Sequence, residues 1–166
     1  MLQKALSQLL HSVAWPPLDI LILDLPPGTG DTQLTITQQL ILSGSVIVST
    51  PQDIALQDAI KGVEMFKKVN VEILGLVQNM SLFKCPGCGK QTHIFREGKE
   101  GGVRGWARRE GVEVLGDVPL DGRVCEDSDR GVPTIVAEGP EGERAKVFMR
   151  MAERVGEKVG LLKPGL

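Results

Sequence analysis

The chain has 166 residues, of which 42% are hydrophobic, and a formal charge of −2. That is enough apolar material for one domain with a core, so a single domain over residues 1–166 is expected, while near-neutral charge argues against a general nucleic-acid binder. No run of about 18 apolar residues could cross a bilayer, and three cysteines, two of them spaced C-x-x-C, suit a reducing compartment better than a secreted disulfide framework.

In chain order, Leu2, Ala5, Leu6, Leu9, Leu10 and Val13 form a helical stripe over residues 2–13, ended by Pro16-Pro17. With one lysine and no arginine in its first ten residues, this start reads as an ordinary helix rather than a signal or transit peptide. Next comes Ile20-Leu21-Ile22-Leu23-Asp24, whose apolar run predicts a central parallel strand buried on both faces. It opens into the glycine-bearing loop Leu25-Pro26-Pro27-Gly28-Thr29-Gly30-Asp31. Further strands are expected at 45–49, 71–77 and 112–118, all β-branched and bounded by turn residues. Helical patterns separate them at 32–42, 53–69, 101–109 and 141–159, with Asp53 as an N-cap of the second. Alternation of strand and helix predicts an α/β fold with a mostly parallel sheet and flanking helices. Residues 81–98, which hold the cysteine pair, read as a loop built around chemistry.

The C-terminal ends of parallel strands are where open α/β sheets bind ligands. Three such ends carry polar or turn residues here. Asp24 can hold Mg2+ through water, and Gly28 lets a backbone N–H approach a terminal phosphate. Asn79 closes the third predicted strand with a carboxamide able to hydrogen-bond a purine edge. Pro119-Leu120-Asp121 follows the fourth. The Ser49-Thr50-Pro51-Gln52-Asp53 turn reads equally as part of this rim and as a capped helix start. A phosphate-cradling loop is not found: Gly89-Lys90 is followed by Gln91, and the residue five before Gly89 is Lys84 rather than glycine. Weak or no ATP binding is therefore expected of these residues alone, since nothing among them would neutralise the β- and γ-phosphates.

Cys85-Pro86-Gly87-Cys88 is open to three readings. Its two sulfurs can form half of a metal site completed by a two-fold partner, part of an intrachain zinc site with His93 and Cys125 or another ligand, or a redox pair. The shared site is favoured over the other two. Taken alone, Cys125 reads as a semi-buried packing residue in the first turns of a helix, His93 as a hydrogen-bonding loop residue, and His11 as part of the first helix.

These motifs resemble the Mrp / nucleotide-binding-protein-like P-loop ATPases, a family of iron-sulfur cluster carriers. The resemblance runs through Asp24 to Asp31, Ser49-Thr50-Pro51-Gln52-Asp53, Lys61-Gly62 to Met65-Phe66, Asn79-Met80-Ser81, Cys85-Pro86-Gly87-Cys88 and Leu115-Gly116-Asp117-Val118-Pro119-Leu120. Val77 to Ser81, with Thr92-His93-Ile94-Phe95, is most similar to the mitochondrial branch that serves respiratory complex I. The resemblance implies a partial P-loop NTPase fold of the SIMIBI, Rossmann-like three-layer type. It further implies a homodimer whose Cys85 and Cys88 bridge one labile 4Fe-4S cluster, ATP with Mg2+ near Asp24 and Gly28, Asn79 at the adenine, and Pro119, Leu120 and Asp121 beside the base. Recipient iron-sulfur apoproteins and the mitochondrial matrix, or otherwise the cytoplasm, follow from the same resemblance. In that family the first strand, the P-loop lysine and the switch I aspartate precede the segment matching residue 1, so this chain is expected to be the later part of a longer protein. Whether it hydrolyses ATP stays open. Two other readings remain: a partition-type ATPase switch with structural zinc at the C-x-x-C, and an inactive remnant.

Overall fold

The computed structural model describes residues 8–26, 30–95 and 101–162. Its elements run α1 (Asp31–Gln39), β1 (Ser45–Ser49), α2 (Asp53–Lys68), β2 (Ile73–Lys84), β3 (Gln91–Thr92), α3 (Gly102–Glu110), β4 (Val114–Leu120), α4 (Gly122–Asp129), α5 (Thr134–Glu138) and α6 (Glu143–Lys158).

β2 organises the sheet. It pairs in parallel with β1, from Ser45↔Ile73 to Ser49↔Gln78, and in parallel with β4, from Leu76↔Val114 to Asn79↔Val118. Beyond that register it turns to pair antiparallel with β3 through Phe83↔Thr92 and Lys84↔Gln91. Leu74, Gly75, Leu76, Val77 and Gln78 are all buried, as a strand between two layers of helices must be. One face packs Ile47, Leu56, Val63, Phe66, Leu76, Val103 and Trp106 into a core with α2 and α3. The opposite face joins Val77, Leu115 and Val118 to Val147, Phe148, Met151 and Val155 of α6. Burying a side chain such as Leu76 or Leu115 contributes roughly 1.5–3 kcal/mol. Gly75 lets β2 and β4 approach, because a Cβ there would lie 2.5 Å from Leu115 Cγ and 2.9 Å from Glu113 O. Two helices, a sheet and a covering helix give the three-layer α/β arrangement read from the sequence.

Four local expectations are corrected. The buried strand at residues 20–24 is not formed: residues 18–26 have no regular structure, and Ile22 is 85% exposed. A strand is stable only when a neighbour satisfies its backbone groups, and no described residue pairs with this segment. Asp53 is the first residue of α2 rather than its cap; Gln52 holds that position without a side-chain bond. Part of the expected 81–98 loop is strand, since Ser81 to Lys84 continue β2 and Gln91–Thr92 is β3, while residues 96–98 lie outside the described residues. Cys125, on α4, is exposed rather than semi-buried. The predicted first helix is seen at residues 8–11, and residues 1–7 lie outside the described residues.

Candidate metal hairpin and ligand rim

Beyond Asn79, β2 cannot follow β4 residue for residue. Pro119 has no N–H to give to a ladder, and the register jumps from Asn79↔Val118 to Phe83↔Leu120. Met80, Ser81 and Leu82 take up the difference as a bulge. Met80 adopts φ 55°, a left-handed conformation that costs a side-chain-bearing residue on the order of 1 kcal/mol. Its N–H donates to Asn79 Oδ1 at 2.8 Å. Ser81 is buried and anchors the turn: its hydroxyl donates to Val118 O at 3.2 Å, and His93 Nδ1 lies 3.1 Å from its carbonyl. In the sequence Met80 and Ser81 stand only as part of the Asn79-Met80-Ser81 match, with no role attached; Pro119, directly after the strand expected at 112–118, was the available signal.

The bulge carries β2 out into a hairpin with the cysteines at its tip. Cys85 N donates to Lys90 O at 2.9 Å, Gly89 N donates to Cys85 O at 2.8 Å, and Gly89 closes the turn at φ 71°. At the base, Lys84 pairs with Glu143 at the start of α6, 3.1 Å away, an exposed contact that guides more than it stabilises. Cys85 and Cys88 are both free thiols, the first half-buried and the second exposed. The backbone N–H of Cys88, then that of Gly87, then the Cys88 thiol donate to the Cys85 sulfur and hold its pKa below the ordinary value of 9.0; partial desolvation opposes them weakly. A turn that aims N–H groups at sulfur favours thiolate, the form that binds metal.

Two thiolates make half of a four-ligand set. Among the described residues no group of three or more His, Cys, Asp or Glu side chains is placed to hold a metal ion. His93 is turned to Ser81 O, and Cys125 has its sulfur 3.9 Å from Asp129 Oδ2. Among the described residues, then, nothing completes the site within the chain.

The second constellation lies where β1, β2 and β4 end. Ser49↔Gln78 and Asn79↔Val118 align these ends, so Thr50, Asn79 and Pro119 share one side of the sheet. The Thr50 hydroxyl is buried there with no hydrogen-bond partner, as are Asp117 Oδ1 and Arg144 Nε elsewhere among the described residues. Leu120 pairs with Phe83 at the hairpin base. Asp121 caps α4, its Oδ1 accepting from Arg123 N at 2.8 Å, and its Oδ2 lies 3.5 Å from Arg144 Nη1. Both oxygens are thus engaged by the protein itself. Asp24 is exposed on the irregular segment before α1, where Gln33 Nε2 donates to Pro26 O at 2.7 Å; Gly28 lies outside the described residues. The fold brings Asn79, Pro119, Leu120 and Asp121 to one sheet end beside the cysteine hairpin, while Asp24 stands on no strand of that sheet.

Comparison with known proteins fits this arrangement. The ParA profile described as NUBPL iron-transfer P-loop NTPase matches residues 1–156. The mouse iron-sulfur cluster transfer protein NUBPL is 52% identical over 155 residues, covering 93% of this chain and 47% of the mouse protein. An Arabidopsis thaliana iron-sulfur protein required for NADH dehydrogenase, mitochondrial, is 49% identical over 155 residues, covering 93% of this chain and 48% of its own length. The chain thus spans about half the length of the curated relatives it matches. Among solved structures, an Archaeoglobus fulgidus nucleotide-binding protein in complex with ADP superposes with a TM-score of 0.67 at 39% identity, covering 78% of this chain and 52% of that one. The Pyrococcus furiosus cell division ATPase MinD, at 23% identity and TM-score 0.52 over 69% of this chain and 43% of that one, shares the fold. On sequence and on fold alike, the chain belongs to the NUBPL iron-transfer P-loop NTPase family.

Proposed function

We propose that this chain is the cluster-holding part of an iron-sulfur carrier. Cys85 and Cys88 of two copies supply the four thiolates that bridge one labile 4Fe-4S cluster, which is cargo to be passed to recipient apoproteins. The observation that carries the reading is the hairpin itself: a C-x-x-C turn whose N–H groups favour the Cys85 thiolate, on a P-loop NTPase sheet, with no third ligand among the described residues. Exposure of Cys88 suits a cluster that must be handed on rather than kept. The relatives named for cluster transfer and for mitochondrial NADH dehydrogenase support delivery to complex I in the mitochondrial matrix as the setting.

The rim of Thr50, Asn79 and Pro119, with its orphaned hydroxyl, fits the base end of an adenine nucleotide, and the ADP-bound archaeal relative supports that assignment. Asp24 and Gly28 would serve Mg2+ and the terminal phosphate once the rest of a phosphate site is supplied. Asp121 acts there by fixing the start of α4 rather than by a free carboxylate. A partition-type switch with structural zinc at the C-x-x-C is less well supported, because no third ligand lies among the described residues.

Anaerobic reconstitution with iron and sulfide tests the reading. About four irons and four sulfides per pair of chains, lost in Cys85→Ser and Cys88→Ser, are expected. One tightly held zinc per monomer with no cluster uptake would overturn it.

A further inference from the structure

The cysteine turn draws its two sulfurs together before any ion arrives. Cys85 N donates to Lys90 O at 2.9 Å and Gly89 N to Cys85 O at 2.8 Å, so the backbone closes around the pair. A Cβ placed on Gly87 would lie 3.9 Å from Cys85 Sγ, which puts that sulfur back over the turn rather than away from it. There it accepts from the N–H groups of Cys88 and Gly87 and from the Cys88 thiol, so sulfur already meets sulfur. Cys88 is exposed, which opens the pair to an ion from solvent. Other donors are scarce. Residues 81–93 contain no aspartate or glutamate, and His93 Nδ1 is turned to Ser81 O. Among the described residues no third His, Cys, Asp or Glu joins the two sulfurs. Lys84 and Lys90 stand on either side of the turn.

Two sulfurs are too few for most metals and enough for one kind. Zinc takes four ligands, and magnesium and calcium need oxygens that this turn lacks. Monovalent copper is soft, selects thiolate, and is satisfied by two sulfurs, because its filled d shell imposes no larger ligand set. We propose that Cys85 and Cys88 of a single chain bind one Cu(I) ion, with their two sulfurs as its only ligands. The site needs one chain and two thiols, so it does not rest on the carrier reading; it uses the same sulfurs and therefore shuts a cluster out of them. Binding forms two Cu–S bonds and sends both thiol protons to solvent. Copper enters and stays monovalent, so no electron is transferred. The bound unit carries one net negative charge, offset by the N–H groups at the Cys85 sulfur and by the two flanking lysines.

Anaerobic titration of the reduced chain with Cu(I) held by bicinchoninate, whose colour fades as the protein takes the ion, measures the site. One copper per chain is expected, with no increase in sedimentation mass and with two sulfur neighbours in X-ray absorption. Cys85→Ser and Cys88→Ser should each weaken binding about tenfold or more. Cys125→Ser, which removes the exposed thiol on α4, should bind as the parent does. Circular dichroism and thermal melting confirm that each variant folds. Unchanged binding in either hairpin variant would overturn the proposal, and so would copper held by three or four sulfurs of paired chains. Iron and sulfide reconstitution of the same preparation separates the two readings. Cluster uptake without copper retention removes the copper site alone, whereas copper retention by a chain that takes up no cluster removes the carrier reading alone.

Discussion

The backbone N–H of Met80 donates to the side-chain oxygen of Asn79 at 2.8 Å, and that bond holds the left-handed turn through which β2 leaves the sheet. The side chain at the ligand rim is thus also a structural pin for the cysteine hairpin. Asn79→Ala leaves the Met80 N–H without its partner and removes the local bond that offsets a φ of 55°. A loss of about 1 kcal/mol in folding stability is expected, read as a lower urea midpoint with unchanged slope. Asn79→Asp keeps an acceptor in place and should retain most of it. Equal midpoints for Asn79→Ala and the parent would mean that the bulge is held by Ser81 alone.

Gly75 tests how tightly β2 and β4 are joined. A methyl group there would meet Leu115 Cγ at 2.5 Å and the carbonyl of Glu113 at 2.9 Å. Leu115 is 2% exposed and has little room to yield, and the carbonyl belongs to the backbone. Gly75→Ala is expected to cost about 1–3 kcal/mol, as overpacked cores do. Gly62→Ala is the comparison, since no atom lies within 4 Å of a Cβ at that helical position. It should be neutral or slightly stabilising, because alanine replaces glycine inside a helix. If the two substitutions behave alike in thermal melts, the close approach of β2 and β4 is not as described.

The Cys85 thiol should react at lower pH than an ordinary cysteine. The N–H groups of Cys88 and Gly87 and the Cys88 thiol favour its anion. In Cys88→Ser, which keeps the backbone donors and a hydroxyl, the alkylation rate plotted against pH should inflect below 9.0. The linkage follows the same sign. A folded-state value below the unfolded one means that Cys85 adds stability above the unfolded pKa and loses it as pH falls through the lowered folded value. An inflection at or above the unfolded value would show that the N–H groups do not face the sulfur in solution.

Much of the fold is legible from local pattern. β1 matches its expected limits because Ser45-Val46-Ile47-Val48-Ser49 is short, β-branched and bounded by a glycine and a proline. α2 and α6 follow their apolar stripes to within a few residues. The failures come from partners. Ile20-Leu21-Ile22-Leu23 has the composition of a buried strand, but a strand is a pairing, and the sequence of one segment does not say whether its neighbour is present. The strand expected at 71–77 falls short of the end of β2 at Lys84 because the antiparallel match to Gln91 and Thr92 is only two residues long and lies across the cysteine turn. α5 spans five residues, too few to show a helical period. The cysteine pair and the strand ends of the candidate site were legible because their chemistry is written in residue type. Ser81 and Met80 were not, because their role depends on Pro119 in a different strand.

The last prediction concerns nucleotide. Within these 166 residues no G-x-x-x-x-G-K-[ST] phosphate loop is encoded, and Asn79, Pro119 and Thr50 are assigned above to the base end of a nucleotide rather than to its phosphates. Phosphate contacts provide most of the affinity in P-loop sites, through a nest of N–H groups and a lysine. The isolated chain should therefore bind adenosine and Mg-ATP with similar, weak affinity, because the triphosphate adds charge but finds no cationic cradle. Isothermal titration of both ligands against the same preparation measures the difference. Dissociation constants within about threefold of each other would place all recognition at the base, since that gap is under 1 kcal/mol. A tenfold or greater preference for Mg-ATP would mean that these residues build a phosphate site of their own, and Asp24 with the loop that follows it would be the first place to look.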